Sequence, residues 1–283
     1  MESISVVIPA YNEEKNIRKV IGQIFGLKIK NLEIIAVDDG STDETYKVLS
    51  SIKGISVLRH GTNKGYGAAL KTAIRKSSSE YILIIDADCT YPADSIPELL
   101  NDLDRYDMVV GARTGEIVKT PFFRKPAKWF LKHFAQYLTK AKIPDLNSGL
   151  RVFRRSVALR FMSLFPDGFS FTTTLTIACL TNDCRIKFVP INYYKRKGKS
   201  KIHPVKDLVG FTNLIFRLTI FFKPLNVFMP ISIMLFAAGT LKLARDFILF
   251  QYFGLGGAIA ILAAIQIAFM GMLAELVIKR TNL

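Results

Sequence analysis

Cysteine is scarce in this chain. Its 283 residues hold three, Cys89, Cys179 and Cys184, with no CxxC pair and only three histidines beside them. That excludes a disulfide scaffold and a Cys/His zinc module, and it fits a reducing compartment. A secretory leader is also missing from residues 1–20, which open MESISVVIPAYNEE, acidic and soon polar; the expectation is a catalytic part that stays in the cytoplasm. No internal repeat and no low-complexity linker interrupts the chain, which excludes solenoids and flexible strings of modules. Acidic residues are outnumbered 23 to 39 by Lys and Arg, giving a net charge of +16. In two places charge disappears: neither Leu225–Leu241 nor Phe247–Ala274 holds a charged residue.

Those two runs account for a mean hydropathy of +0.26, high for a soluble protein. Residues 1–204 read as an ordinary globular mixture. The second run easily crosses a hydrocarbon core of about 30 Å at about 1.5 Å per residue. The first is shorter and carries Asn226 and Pro230. Only Lys242–Asp246 lies between them, so a tight transmembrane hairpin is expected, with a pair of buried core helices as the alternative. Basic residues crowd just before the first run: Lys195, Arg196, Lys197, Lys199, Lys201 and Lys206. A cluster there marks the cytoplasmic side, and Lys279 and Arg280 put the chain's end on that same side. Nucleic acid is not the expected partner, since the basic run adjoins a membrane segment and lacks interleaved aromatics. Val205–Lys223 puts Leu208, Phe211, Ile215, Leu218 and Phe222 on one helical face, as in a helix lying on the bilayer surface.

The first half alternates short apolar runs with helical stretches. Strands are expected at Ile4–Ile8, Leu32–Val37, Ser56–Arg59, Tyr81–Ile85 and Met108–Gly111, and later at Arg185–Tyr194. Helices are expected at Glu14–Phe25, Thr42–Ser51 (capped by Ser41 or Thr42), Gly67–Lys76 and Ser156–Phe165. Repeated βα units with continuous apolar strands imply a mostly parallel sheet covered on both faces. The polar clusters fall at the carboxyl ends of the strands, where open α/β sheets bind ligands.

Three of those clusters carry chemistry. Asp86-Ala-Asp88 sets two carboxylates at the end of a buried strand, which suits Mg²⁺ or Mn²⁺ bridging a diphosphate, because such cations take few protein carboxylates and share phosphate oxygens. Asp38-Asp39-Gly40-Ser41 offers carboxylates to a nucleobase or ribose, with Gly40 permitting a tight turn. Pro9-Ala10-Tyr11-Asn12-Glu13-Glu14 closes the first strand, where its backbone and Glu13 can wall a nucleoside pocket beside a helix N-terminus.

PAYNEE, VDDGSTD, DADCTYP, GAR, NSGLRVF and KRKGKSK follow one another in this order. Together they resemble glycosyltransferase family 2 on a GT-A fold, most closely polyprenyl-phosphate sugar synthases of the dolichol-phosphate mannose synthase type. The resemblance covers about residues 3–204 and implies three segments: a GT-A domain over 1–204, a juxtamembrane amphipathic helix over 205–223, and a hairpin with a short tail over 224–283. It implies that Asp39 serves the nucleobase and ribose, with Pro9, Tyr11 and Glu13 around the nucleoside. Asp88 becomes the principal metal ligand and Asp86 its partner beside the donor sugar. Arg113 and Arg151 become phosphate binders, and Arg196 and Lys201 belong to a late loop closing over the donor diphosphate and acceptor phosphate.

Two departures matter. Many relatives carry Gln two residues after the second aspartate, where this chain has Thr90, so a third metal ligand is missing. Where relatives often show an acidic residue, this chain has Phe171-Thr172-Thr173-Thr174. A sugar hydroxyl needs deprotonation as it attacks, whereas a lipid phosphate is already ionised. A missing base therefore fits a phosphate acceptor, with Asp145 or Asp167 as the remaining candidates. The expected reaction moves a hexose from a UDP- or GDP-linked donor to undecaprenyl or dolichyl phosphate with inversion at C1, catalysed at the cytoplasmic face of a membrane. The rivals are a family 2 enzyme acting on another membrane lipid or a glycan hydroxyl, a nucleotidyltransferase, and a non-catalytic membrane scaffold. No QxxRW motif of processive synthases is present, the one tryptophan being Trp129 in AKWF. A hairpin anchor is compatible with several homo-oligomeric assemblies.

Overall fold

A computed structural model describes residues 3–115, 139–168, 170–194 and 223–280, with isolated positions at 133, 135–137, 216 and 219–221. Arg196 and Lys201, the KRKGKSK run, most of the basic-aromatic stretch 119–142 and most of the amphipathic helix expected over 205–223 lie outside the described residues.

Strands β1 (Ile4–Ala10), β2 (Leu32–Asp38), β3 (Ser56–Arg59), β4 (Tyr81–Ile84), β5 (Met108–Ala112), β6 (Arg151–Arg154) and β7 (Ile186–Pro190) form one sheet in the order β3-β2-β1-β4-β6-β5-β7. All pairs are parallel except those of β6, which runs antiparallel to both β4 and β5, with Leu83 and Val109 each opposite Val152. The strands are apolar throughout because both faces are covered. Val7, Ile35, Ile82 and Met108 join a cluster with α3 (Tyr66–Lys76) and α6 (Phe171–Thr181). Their neighbours Val6, Ile34, Leu83 and Val109 join a second cluster with α1 (Ile17–Gly26) and α4 (Ile96–Leu100) on the opposite face. Among the described residues the other short α-helices are α2 (Thr45–Ser50) and α5 (Arg155–Arg160).

From β1 the chain moves outward to β3 and returns to β4 on the other side of β1. The carboxyl ends of β1, β2 and β4 therefore meet at the point where strand order reverses, the place where such sheets open a crevice. Pro9 sits in β1 beyond the last residue paired to β4, so its missing N–H breaks no hydrogen bond on that side.

Helices α7 (Leu225–Phe250) and α8 (Leu255–Arg280) follow as an antiparallel pair of 26 residues each, about 39 Å long at about 1.5 Å per residue. Only 17% and 11% of their most apolar stretches are buried, unlike helices packed inside a core. Their contact is close. Gly239 lies where a Cβ would come 3.0 Å from the Gly257 carbonyl oxygen, and the Ser232 hydroxyl donates to the Ala264 carbonyl at 2.8 Å.

Two local expectations are corrected. The hairpin does not turn at Lys242–Asp246, which lies within α7. Asp246 is buried and accepts from Lys242 at 3.1 Å and Arg245 at 3.0 Å, so the charges neutralise one another along the helix instead of ending it. The turn comes at Gln251, in the left-handed conformation with φ 58°. Neither Ser41 nor Thr42 caps α2. Asp43 Oδ1 accepts the Thr45 N–H at 3.0 Å, and the Ser41 hydroxyl is taken by the Asn12 N–H at 3.0 Å.

Candidate active site

The loop after β1 is laced to the loop after β2. Asn12, in the left-handed region with φ 57°, accepts the Thr42 N–H at 2.8 Å through Oδ1. The Glu13 N–H donates to the Thr45 hydroxyl at 2.8 Å. Glu13 Oε2 accepts from Asn16 at 2.9 Å at the start of α1, with Tyr11 half-buried beside it in the chain. Gly40 is required here: its φ is +70°, and a Cβ would lie 2.6 Å from the Asn63 backbone nitrogen.

Asp38 ends β2 and Asp39 follows it, both buried, and their situations differ. Asp39 is fully engaged. Its oxygens accept the N–H groups of Lys64 at 3.0 Å and Gly65 at 2.8 Å, and Oδ1 lies 2.6 Å from His60 Nδ1. His60 in turn meets the Thr72 hydroxyl at 2.9 Å. In this geometry the Asp39 carboxylate, expected on the nucleobase and ribose side, fastens residues 60–65 to β2. Asp39→Asn is expected to lower the Tm of the solubilised protein by roughly 5–10 °C, because an amide cannot accept from all three donors. An unchanged Tm would show that the loop is held by something else. Asp38 Oδ1 accepts the Ser41 N–H at 3.2 Å, while Oδ2 is buried without a hydrogen bond, 3.2 Å from Arg59 Nε in an ion pair.

Asp86 and Asp88 stand half-buried just past β4, separated by the buried Ala87. Cys89, with φ 57°, reverses the chain so that the Thr90 N–H and hydroxyl both reach Asp88 Oδ1, at 3.1 and 2.6 Å. Asp86 Oδ1 accepts from the Tyr66 hydroxyl at 2.9 Å. Burial, and then the Asp86 charge, push the Tyr66 phenol well above its ordinary pKa, so it remains a donor. On the other side of Asp86 stands Gly149, where a Cβ would lie 2.6 Å from Oδ2. Its N–H donates to the Tyr91 hydroxyl at 2.6 Å. Among the described residues no group of three or more acidic, His or Cys side chains gathers for a metal. Two hard carboxylates with coordination left to phosphate and water still fit Mg²⁺ or Mn²⁺, and Asp86 and Asp88 would hold it.

Arg113, just past β5, forms a two-pronged pair with Asp145 (Nε to Oδ2 at 2.7 Å, Nη2 to Oδ1 at 2.8 Å) and reaches Asn147 at 2.6 Å. Its guanidinium lies 5.2 Å from the centre of the Tyr193 ring, which meets Tyr91 edge-on at 5.2 Å. Burial works against its charge, but the Tyr91 oxygen and Asp145 outweigh it and hold its pKa above the usual arginine value.

Arg151 is not placed to bind phosphate. It is fully buried, and its guanidinium donates to the Ser148 carbonyl at 3.0 and 2.5 Å, the Thr172 carbonyl at 2.9 Å and the Thr176 hydroxyl at 2.9 Å. Burial lowers its pKa. Arg151 instead ties the 145–149 loop to α6, behind Asp86. His60, Tyr66 and Gly149 carry no local signal that marks them as parts of this site, since their partners come from distant segments.

The pattern of these loops decides the family. A model of glycosyl transferase family 2 matches residues 5–162, more than half of the chain. The chain belongs to glycosyltransferase family 2. A second model, the GtrB C-terminal hairpin, matches residues 223–279, which contain α7 and nearly all of α8. Among relatives, a low-salt glycan biosynthesis hexosyltransferase of Haloferax volcanii is 29% identical over 95% of this chain and 67% of its own length. The dolichyl-phosphate hexose transferase of the same organism is 29% identical over 72% of this chain and 88% of its own length. A dolichol-phosphate mannosyltransferase of Pyrococcus furiosus is also 29% identical, over 76% and 63%. Among solved structures, glucosyl-3-phosphoglycerate synthase of Mycobacterium tuberculosis, in complex with Mn²⁺, UDP and phosphoglyceric acid, superposes with a TM-score of 0.61 at 22% identity, over 77% of this chain and 78% of that one. That likeness establishes the GT-A-like fold, with its mostly parallel sheet. Family membership makes the protein a glycosyltransferase, and the two C-terminal helices form an apolar hairpin suited to membrane association.

Proposed function

We propose that this enzyme transfers a hexose, with inversion, from a UDP- or GDP-linked donor to a polyprenyl phosphate at the cytoplasmic face of a membrane spanned by α7 and α8. Relatives named for dolichyl-phosphate chemistry support the acceptor class. The observation that carries it is the commitment of the remaining candidate bases. Asp145 gives both oxygens to Arg113, and Asp167 is paired with Lys71. The triple threonine that stands where relatives are acidic is buried in α6. A hydroxyl acceptor would need one of these groups, whereas a phosphate oxygen needs none.

In this reaction a phosphate oxygen of the lipid attacks the sugar C1 as the bond from C1 to the donor diphosphate breaks, its electron pair leaving with the nucleoside diphosphate. A Mg²⁺ or Mn²⁺ ion at Asp86 and Asp88 would neutralise charge growing on that leaving group. Tyr66 and Thr90 fix the two carboxylates before substrate arrives. Asp145 and Asn147 hold the fork of Arg113, leaving Nη1 to donate to a phosphate. Asp38, whose Oδ2 is ion-paired with Arg59 and makes no hydrogen bond, stands beside Asp39 as a second carboxylate for the nucleobase side. Arg196 and Lys201, close in sequence to the hairpin, add further positive charge.

Acceptor discrimination tests the proposal. Polyprenyl phosphate is expected to be glycosylated and the matching polyprenol, which carries a hydroxyl in its place, left unmodified. Comparable transfer to the alcohol would favour the hydroxyl-acceptor reading.

A further inference from the structure

Two nucleophilic side chains that the reaction does not use meet at the end of α6. The helix stops in a left-handed cap: Asp183 has φ 56°, and the Cys184 N–H turns back to the Cys179 carbonyl at 3.1 Å. That closure sets the residue after the left-handed position against the third-last residue of the helix, and an apolar pair commonly fills those two places. Here both are cysteines. The Cys179 thiol donates to the Cys184 sulfur. Cys179 is wholly buried in the cluster shared by α3, α6 and the sheet, whereas Cys184 is half-buried at its margin. Their hydrogen bond lowers the Cys184 thiol below the ordinary cysteine value and, together with burial, raises Cys179 well above it. The accessible thiol is therefore the nucleophile and the buried one its partner. Cys89 stands elsewhere, with its thiol on the Asn16 carbonyl at 3.8 Å.

We infer that Cys179 and Cys184 are a redox couple, which a peroxide closes into a disulfide that latches the end of α6 to the approach of β7. A disulfide needs two cysteines whose backbones come close and whose side chains point together, and the cap supplies both. The Cys184 thiolate attacks one peroxide oxygen, the O–O bond breaks, and hydroxide leaves. The resulting sulfenic acid is attacked by the Cys179 sulfur, so that the S–S bond forms and water leaves. Two thiols are oxidised and one peroxide is reduced to water. The anchors of Arg151 on α6, Thr172 and Thr176, precede Cys179, and Cys184 is the less confined partner. The sulfurs therefore close by movement of Cys184, and the support of the 145–149 loop is kept. The latch stabilises the helix and does not switch the enzyme off.

The test uses the full chain in detergent, reduced and then given hydrogen peroxide, with free thiols blocked by iodoacetamide before trypsin digestion. Trypsin cuts after Arg160 and Arg185, so both cysteines fall in one peptide, residues 161–185. That peptide is expected to be lighter by the hydrogens of both thiols, to take up no blocking group, and to regain both thiols with dithiothreitol. Disulfide formation is expected to be about tenfold faster in the folded protein than in urea, where only chain proximity holds the pair. The oxidised form is expected to melt roughly 2–6 °C higher, a gain that Cys184→Ser removes. Asp183→Gly keeps the left-handed cap and is expected to keep the rate, whereas Asp183→Val disfavours the cap and is expected to slow it. Equal rates in the folded protein and in urea, both cysteines blocked after peroxide, or Cys184 carried on to sulfinic acid would overturn the inference. None of these measurements involves sugar transfer, so the result stands whatever the acceptor.

Discussion

Asp88→Asn is expected to lower kcat/KM by about a thousandfold or more while leaving the fold intact. The carboxylate lies at the end of β4 where strand order reverses, and its Oδ1 is already oriented by both donors of Thr90. An asparagine keeps an oxygen for those hydrogen bonds, so the turn at Cys89 survives. It removes the negative charge that a divalent cation requires, and with no third acidic group nearby among the described residues nothing replaces it. Thr90→Val makes a graded companion. It takes away the 2.6 Å hydroxyl bond but leaves the charge, and a loss of about tenfold is expected. Initial rates at saturating donor, together with Mn²⁺ affinity by titration, check both. An Asp88→Asn enzyme with more than a tenth of wild-type activity would mean that charge on the diphosphate is neutralised elsewhere.

Gly149→Ala is expected to cost about a hundredfold in kcat. The added methyl lands 2.6 Å from Asp86 Oδ2, and Asp86 cannot retreat freely because Tyr66 holds its other oxygen at 2.9 Å. The loop cannot yield easily either. The Gly149 N–H is held by Tyr91 and the Ser148 carbonyl by Arg151, whose guanidinium is anchored on α6. Displacement of a catalytic carboxylate by about 1 Å is enough for a loss of that order. Circular dichroism and Tm distinguish misplacement from unfolding. A variant with normal stability and normal kcat would show that the exact position of Asp86 is unimportant.

The strands were legible because a strand buried on both faces reads as an unbroken apolar run: β3 lies at Ser56–Arg59 as expected, and β1, β2, β4 and β5 within two residues of their expected ends. β6 was not legible. Its four residues, Arg-Val-Phe-Arg, contain two arginines, and Arg151 is accommodated in this central strand by hydrogen bonds to α6. α6 itself is buried nearly all round, so no polar face gives it a helical period, and its threonines argue locally against a helix. At the site, the paired carboxylates and Arg113 stood out by motif and position. The engagement of Asp39 with His60, and the conversion of Arg151 from phosphate binder to loop support, depend on which distant segments come together. Motif spacing does not encode that. The late basic loop was legible as sequence, and its geometry falls outside the described residues.

The most direct test of the central claim is transfer of radiolabelled sugar into organic-extractable lipid by the purified enzyme. The panel comprises UDP- and GDP-hexoses with undecaprenyl or dolichyl phosphate and Mg²⁺ or Mn²⁺, with EDTA and Asp88→Asn as controls. Label is expected in lipid from one donor class, lost in both controls. Slow release of free sugar with no labelled lipid from any donor would contradict it, leaving a working donor site attached to the wrong acceptor.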